Sequence, residues 1–178
     1  MGDTARHPAI IHWRAIEAAN AWQYDHHDEP LGHDAPLAAH FGLQRLGIHH
    51  QRLLPGRRTS FPHAESAEEE FVHVISGTPD VWLDGHLHRL QPGDSVGFPA
   101  GTGLAHSFLN NTDAEVCLLV VGDKPRPENR IFYAVNPDRQ ALRDDWWGDA
   151  PARDTGPHDG LTDARRTENS RTDSRSKA

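Results

Sequence analysis

The sequence predicts an all-β domain, a sandwich or barrel of short strands, and three observations carry that expectation. From Gln44 onward, short apolar runs are broken by Gly, Pro, Asn and Asp at the intervals such folds use. Val81-Trp82-Leu83 and Leu87-His88-Arg89-Leu90 flank Asp84-Gly85, a dipeptide that tolerates positive φ and so favours a tight hairpin. The length of 178 residues suits one domain with some tail. Its 36% hydrophobic content is low, but it is concentrated between about Ile10 and Trp147.

In chain order, residues 1–43 carry mixed signals, with alanine-rich helical character around Ile16 and an apolar cluster from Leu37 to Leu43. They are expected to form short helical or irregular pieces packed on the barrel. Tyr24-Asp25-His26-His27-Asp28-Glu29 holds metal-ligand residue types, but clustered polar residues before Pro30 and Gly32 read as a solvated loop. The barrel is expected over residues 44–135. Leu46 to Leu54 is its first strand, followed by Phe71 to Ile75, the hairpin, Ser95 to Phe98, Ala105 to Leu109, Glu115 to Val121 and Arg130 to Val135. Residues 136–158 form a C-terminal extension in which Trp146-Trp147, costly to leave in water, pins the segment to the barrel or to a partner subunit, with ligand stacking as the other use. Residues 159–178 are nearly free of large apolar side chains and are expected to be disordered.

The net charge of −8 and the absence of a basic run disfavour nucleic-acid binding. No apolar run is long enough to span a bilayer, and the N-terminus lacks an apolar signal core, so the chain is expected to be cytoplasmic. The single cysteine, Cys117, lies in the run Val116 to Val121 and reads as a small core or interface hydrophobe.

Chemistry concentrates between Gly56 and Asn110. Side chains alternate along a strand, so His63 and Glu65 share a face, and Glu70 opens the next strand where its carboxylate can come beside them. His106 follows the glycine-rich loop Phe98 to Gly103. His63, Glu70 and His106 make a two-histidine, one-carboxylate face of the kind that leaves coordination positions open. Glu65 either adds a second carboxylate or hydrogen-bonds in the pocket. Two carboxylates and two neutral imidazoles cancel a divalent charge, which favours Mn or Fe and leaves Zn or Ni open. Parity puts Val72 and Val74 on the face of Glu70, and Phe71, His73 and Ile75 on the other. On the first strand, parity with Leu46 and Ile48 favours His50 and Arg52 as the inward, substrate-binding pair, although apolar residues on both faces leave the assignment open.

These residues resemble the two motifs of the cupin superfamily. The first corresponds to Gly56, His63-Ala64-Glu65, Glu70 and Gly77; the second to Gly93, Pro99-Ala100-Gly101, His106 and Asn110. Glu65 stands where the family usually has a second histidine, and the loops before His63 and His106 are slightly longer. The resemblance is nearest to small stand-alone bacterial cupins. It implies a double-stranded β-helix, or jelly-roll barrel, with a divalent metal at its mouth and pairing into a homodimer. Two functions follow as expectations: a metal-dependent oxygenase, lyase or isomerase acting on a small organic molecule, or a non-catalytic cupin that binds a small molecule as a sensor. The fold alone does not choose between them. The homodimer also follows from parity, because Phe71 and Ile75 point away from the pocket unless residues 10–43 cover them.

Overall fold

The computed structural model describes residues 6–176, so residues 1–5 of the N-terminal segment and the last two of the tail lie outside the described residues. Ten strands form two five-stranded sheets. They are β1 (His33–Ala35), β2 (Leu46–Leu53), β3 (His63–Glu65), β4 (Glu70–Ser76), β5 (Asp80–Leu83), β6 (His86–Arg89), β7 (Ser95–Phe98), β8 (His106–Leu109), β9 (Val116–Asp123) and β10 (Ile131–Tyr133). One sheet runs β1-β2-β9-β4-β7 and the other β10-β3-β8-β5-β6. Every pairing between these strands is antiparallel. This is a jelly-roll sandwich.

Alternation along the strands builds two apolar layers. Leu53, Val72, Val74, Val81, Phe98, Phe108, Val116, Leu118 and Val120 meet between the sheets. Their immediate neighbours Trp82 and Leu109 turn to the opposite face, where they pack with Ala64, Ala105 and Trp147. Burying each large side chain of these layers contributes about 1.5–3 kcal/mol. Trp147 is thereby pinned against the barrel, its backbone N–H donating to the Ile131 carbonyl, and Trp146 packs against the Phe132 and Tyr133 rings. The β5–β6 hairpin turns at Asp84 and Gly85, both at positive φ. A Cβ on Gly85 would stand 2.2 Å from the Gly156 carbonyl oxygen, so only glycine fits there.

The N-terminal segment contributes a 3-10 turn at Trp13–Ala15, the strand β1, and a short helix α1 (Leu37–His40) that packs on β2. The stretch 24–29, expected as a solvated loop, is only partly so. Asp25 and His26 are exposed, whereas Glu29 is buried against Arg58, which donates to it at 2.9 and 2.6 Å. The segment leaves the outer face of the first sheet largely open: Phe71 and Ile75 are 44% and 45% exposed, and Leu46 is comparably exposed.

The expectation of a disordered tail from Asp159 needs correction. Arg58 donates to the Gly160 carbonyl at 2.8 Å, the Thr162 hydroxyl donates to the Gly56 carbonyl at 2.9 Å, and Thr162 is fully buried. Trp82 Nε1–H donates to the His158 carbonyl at 2.8 Å. A helix α2 (Asp163–Ser176) follows. The segment docks through backbone carbonyls, one hydroxyl and the Asp163 N–H, which donates to Asn111 Oδ1 at 2.9 Å, contacts that apolar composition does not register. Among the described residues, no helix is long and apolar enough to cross a membrane.

Candidate metal centre

Strand pairing brings the two histidines together. His63 on β3 and His106 on β8 are directly opposite in the ladder, and their rings lie 5.0 Å apart. Glu70, the first residue of β4, reaches across from the other sheet and places Oε1 3.2 Å from His106 Nε2. Phe98, paired with Glu70 across β4 and β7, stacks on the His106 ring. It closes one side of the pair.

Both rings are held by backbone carbonyls. His63 Nδ1 lies 2.9 Å from the Phe61 oxygen, and His106 Nδ1 lies 3.3 Å from the Leu104 oxygen. A carbonyl oxygen only accepts, so each ring donates from Nδ1 and keeps a lone pair on Nε2. The His106 lone pair then faces the Glu70 carboxylate, an arrangement that only a shared proton or a cation satisfies. This is the support that metal-binding histidines use. Burial, reinforced by the neighbouring His106, lowers the His63 pKa to about 4, which leaves a neutral imidazole near pH 7. In the shared-proton state, burial pushes Glu70 upward, but the hydrogen bond from His106 and the charge of that ring outweigh it and hold this carboxyl below its ordinary range. The donors fit a divalent ion in kind. As they stand, no three His, Cys, Asp or Glu side chains among the described residues are grouped to hold one, so binding would require the two rings and Glu70 to draw closer together.

Glu65 shares the inward face of β3, but it lines a separate small recess with Glu68, Glu70, Thr102 and His106. Burial, then the charges of Glu68 and Glu70, raises its pKa to about 8, against an opposing hydrogen bond from Asn129. At neutral pH it is mainly a protonated acid.

A cavity of about 330 Å³ opens beside His63 and Glu70, lined also by Trp22, Tyr24, Asp34, His49 and Gln51. The expected inward pair of β2 is therefore corrected: His49 and Gln51 face the cavity, and His50 and Arg52 face outward. Leu53 packs in the core and fixes the parity, with His49 opposite Val120 and Leu53 opposite Val116 on β9. His50 stacks on Trp13, and Arg52 pairs with Glu17 and Glu115. Leu46 and Ile48 misdirect the parity argument because they belong to the apolar outer face. His49 Nδ1 lies 3.0 Å from both carboxylate oxygens of Asp34. Asp34 raises the His49 pKa through that bond, with Glu70 adding to it, while burial opposes. This pair escapes sequence reasoning because it forms only when β1 adds to the edge of β2.

The fold and the cluster together define the class of protein: a small antiparallel jelly roll with two histidines and a carboxylate gathered inside one end. Residues 49–122 match the cupin domain family model, so the chain carries a cupin domain. Among solved structures, a sugar phosphate isomerase from a cupin superfamily of Silicibacter pomeroyi is 35% identical, with 57% of this chain and 64% of that chain covered and a TM-score of 0.55. A protein of Acidithiobacillus ferrooxidans, named provisionally for the same activity, is 30% identical over the same shares, with a TM-score of 0.55. The chain thus spans under two thirds of the length of these relatives. A Thermus thermophilus protein shares the fold at 23% identity and a TM-score of 0.50, with 67% of this chain and 99% of that one covered. No curated protein matches the chain.

The Glu65 environment sets a pH dependence. A carboxyl whose pKa rises from 4.5 to about 8 on folding binds more protons folded than unfolded between those values, so stability falls as pH rises through that window. His63 works in the opposite direction, but its window lies between about 4 and 6.5. In metal-free protein, the melting temperature should drop from pH 6.5 to pH 8.5, and Glu65→Gln should flatten that drop. Equal slopes in both proteins would show that Glu65 is ionised in the folded state.

Proposed function

We propose that the chain is a metal-dependent cupin enzyme, an isomerase of a small hydroxylated carbonyl compound of the sugar type, with His63, Glu70 and His106 holding a divalent ion. The observation that carries this reading is the Asp34–His49 pair on the wall of the cavity that also exposes His63 and Glu70. Isomerisation needs a base beside a polarised carbonyl, and an imidazole oriented by a carboxylate is such a base. A bound ion such as Mn, Fe, Zn or Ni supplies polarisation of the substrate oxygen. His49, its Nδ1 proton committed to Asp34, takes a proton from the carbon next to the carbonyl and returns one to the neighbouring carbon. The hydroxyl proton passes between the two oxygens, and atoms and electrons balance without an oxidant. Trp22 and Tyr24 shield the cavity from bulk water. The sugar phosphate isomerase relative supports this choice over an oxygenase or lyase. We propose a cytoplasmic location as part of the same reading.

The test loads metal-stripped protein with each ion and follows interconversion of small aldoses, ketoses and their phosphates. His49→Gln and Asp34→Asn should each lower kcat by roughly 10²–10⁴-fold, the range for a lost acid–base group, while metal content stays at the wild-type level. Saturable binding without turnover in wild type would favour the sensory cupin instead.

A second copy of the chain is proposed to cover the open outer face around Phe71, Ile75 and Leu46, because a monomer would leave these large apolar side chains in water. Sedimentation should find a dimer near twice the 19.8 kDa chain mass. Phe71→Asp should shift it to monomer with an unchanged circular dichroism spectrum. A wild-type monomer at tens of micromolar would contradict this.

A further inference from the structure

Arg139 lies in the 3-10 segment Pro137–Leu142 after β10, and it is 7% exposed. Its guanidinium carbon sits 4.3 Å from the Tyr24 ring, 5.0 Å from Tyr133 and 5.1 Å from Phe61. No carboxylate among the described residues pairs with it, and Nε is buried without a hydrogen-bond partner. The neighbouring Arg143 is different: it grips Asp145 through Nε and Nη2 and donates to the Tyr133 hydroxyl. Three aromatic faces offset part of the cost of burying a cation. They accept none of its planar N–H fork, and a buried charge without a hydrogen-bonded counter-charge is expensive.

Arg139 lines a cleft of about 540 Å³. Trp22 and Tyr24 form part of this cleft and also part of the cavity beside His63. Tyr133 bridges the two places, 5.0 Å from the Arg139 carbon and 5.9 Å from the His63 ring. Asp25, Asp144 and Asp145 also line the cleft, but Asp145 is neutralised by Arg143, and Asp25 and Asp144 are exposed and water-screened, whereas Arg139 is enclosed.

We propose that Arg139 is the anchor of an oxyanion subsite, which takes the phosphoryl or carboxylate group of a small metabolite as the missing partner of its guanidinium fork. A fork of parallel N–H donors matches either group in a bidentate manner. The subsite stands without a metal ion. Its use as the handle of the substrate rests on the isomerase reading, in which the other end of the molecule reaches the cavity beside His63.

The test titrates inorganic phosphate, and separately acetate, into the full-length, metal-stripped chain at constant ionic strength. Binding is followed by nuclear magnetic resonance at the Arg139 Nε–H in the wild type and, in wild type and every variant alike, at the backbone amides of Tyr24 and Tyr133, whose rings pack on that guanidinium. A saturable shift with either anion is expected, and the stronger of the two identifies the group the subsite takes. Arg139→Met should weaken that binding by about tenfold or more, the loss that a charge-assisted hydrogen bond implies. Arg139→Lys should bind in between, and the exposed Arg45→Gln should match wild type. Absence of a saturable shift in the wild type needs no variant to interpret and overturns the proposal; so does equal affinity in wild type and Arg139→Met. Because no ion is present, an unproductive metal centre would leave these results unchanged, and the two readings fail separately.

Discussion

The buried ion pair between Arg58 and Glu29 is the constraint on which the rest of the structure depends. Both side chains are almost completely excluded from water, and the cost of that exclusion is offset only if the geometry is good and the remaining donors are used. Here Arg58 meets both Glu29 oxygens, gives its third contact to the Gly160 carbonyl, and lies over the Phe61 ring. One guanidinium thus ties the N-terminal segment, the loop before β3 and the C-terminal tail to one another. Removing either charge would strand the other, at a cost of about 3–5 kcal/mol.

The candidate site inherits its shape from that knot. Glu29 fixes the approach of the N-terminal segment, and the segment carries Trp22 and Tyr24 over the open end of the barrel and Asp34 into β1. The Phe61 loop that stacks beneath Arg58 also supplies the carbonyl that sets the His63 tautomer. The barrel provides His63, Glu70, His106 and His49; the segments clamped around it provide Trp22 and Tyr24, the Asp34 that pairs with His49, and the caged Arg139. The candidate ligands and His49 sit on rigid strands, and Trp22, Tyr24, Asp34 and Arg139 come from the segments wrapped around them, a division that suits a scaffold hosting varied chemistry.

Residues close in sequence were the legible ones. The Asp84-Gly85 hairpin follows from a two-residue signal, and the inward placement of Glu70, Val72 and Val74 follows from alternation within one strand. His63 and His106 were visible because motif spacing marks them. The pairs that join distant segments were not: Asp34 with His49, Glu29 with Arg58, and Arg139 with Tyr24 are each set by strand addition or segment docking, which no local periodicity encodes. The β2 assignment failed for a related reason. A strand with apolar residues on both faces has no inward signature, and its parity was decided by Leu53 in the core. The tail misled through composition, since its attachment uses carbonyls present in every residue.

The central claim is that His63, Glu70 and His106 close on one divalent ion. The most direct measurement is electron paramagnetic resonance of stoichiometrically Mn-loaded protein, with electron spin echo modulation to count coordinated imidazole nitrogens. Two imidazole couplings in the wild type are predicted, falling to one in His106→Ala and in His63→Ala while each variant remains folded. A spectrum of water-coordinated Mn, or couplings that persist in both variants, would contradict the account.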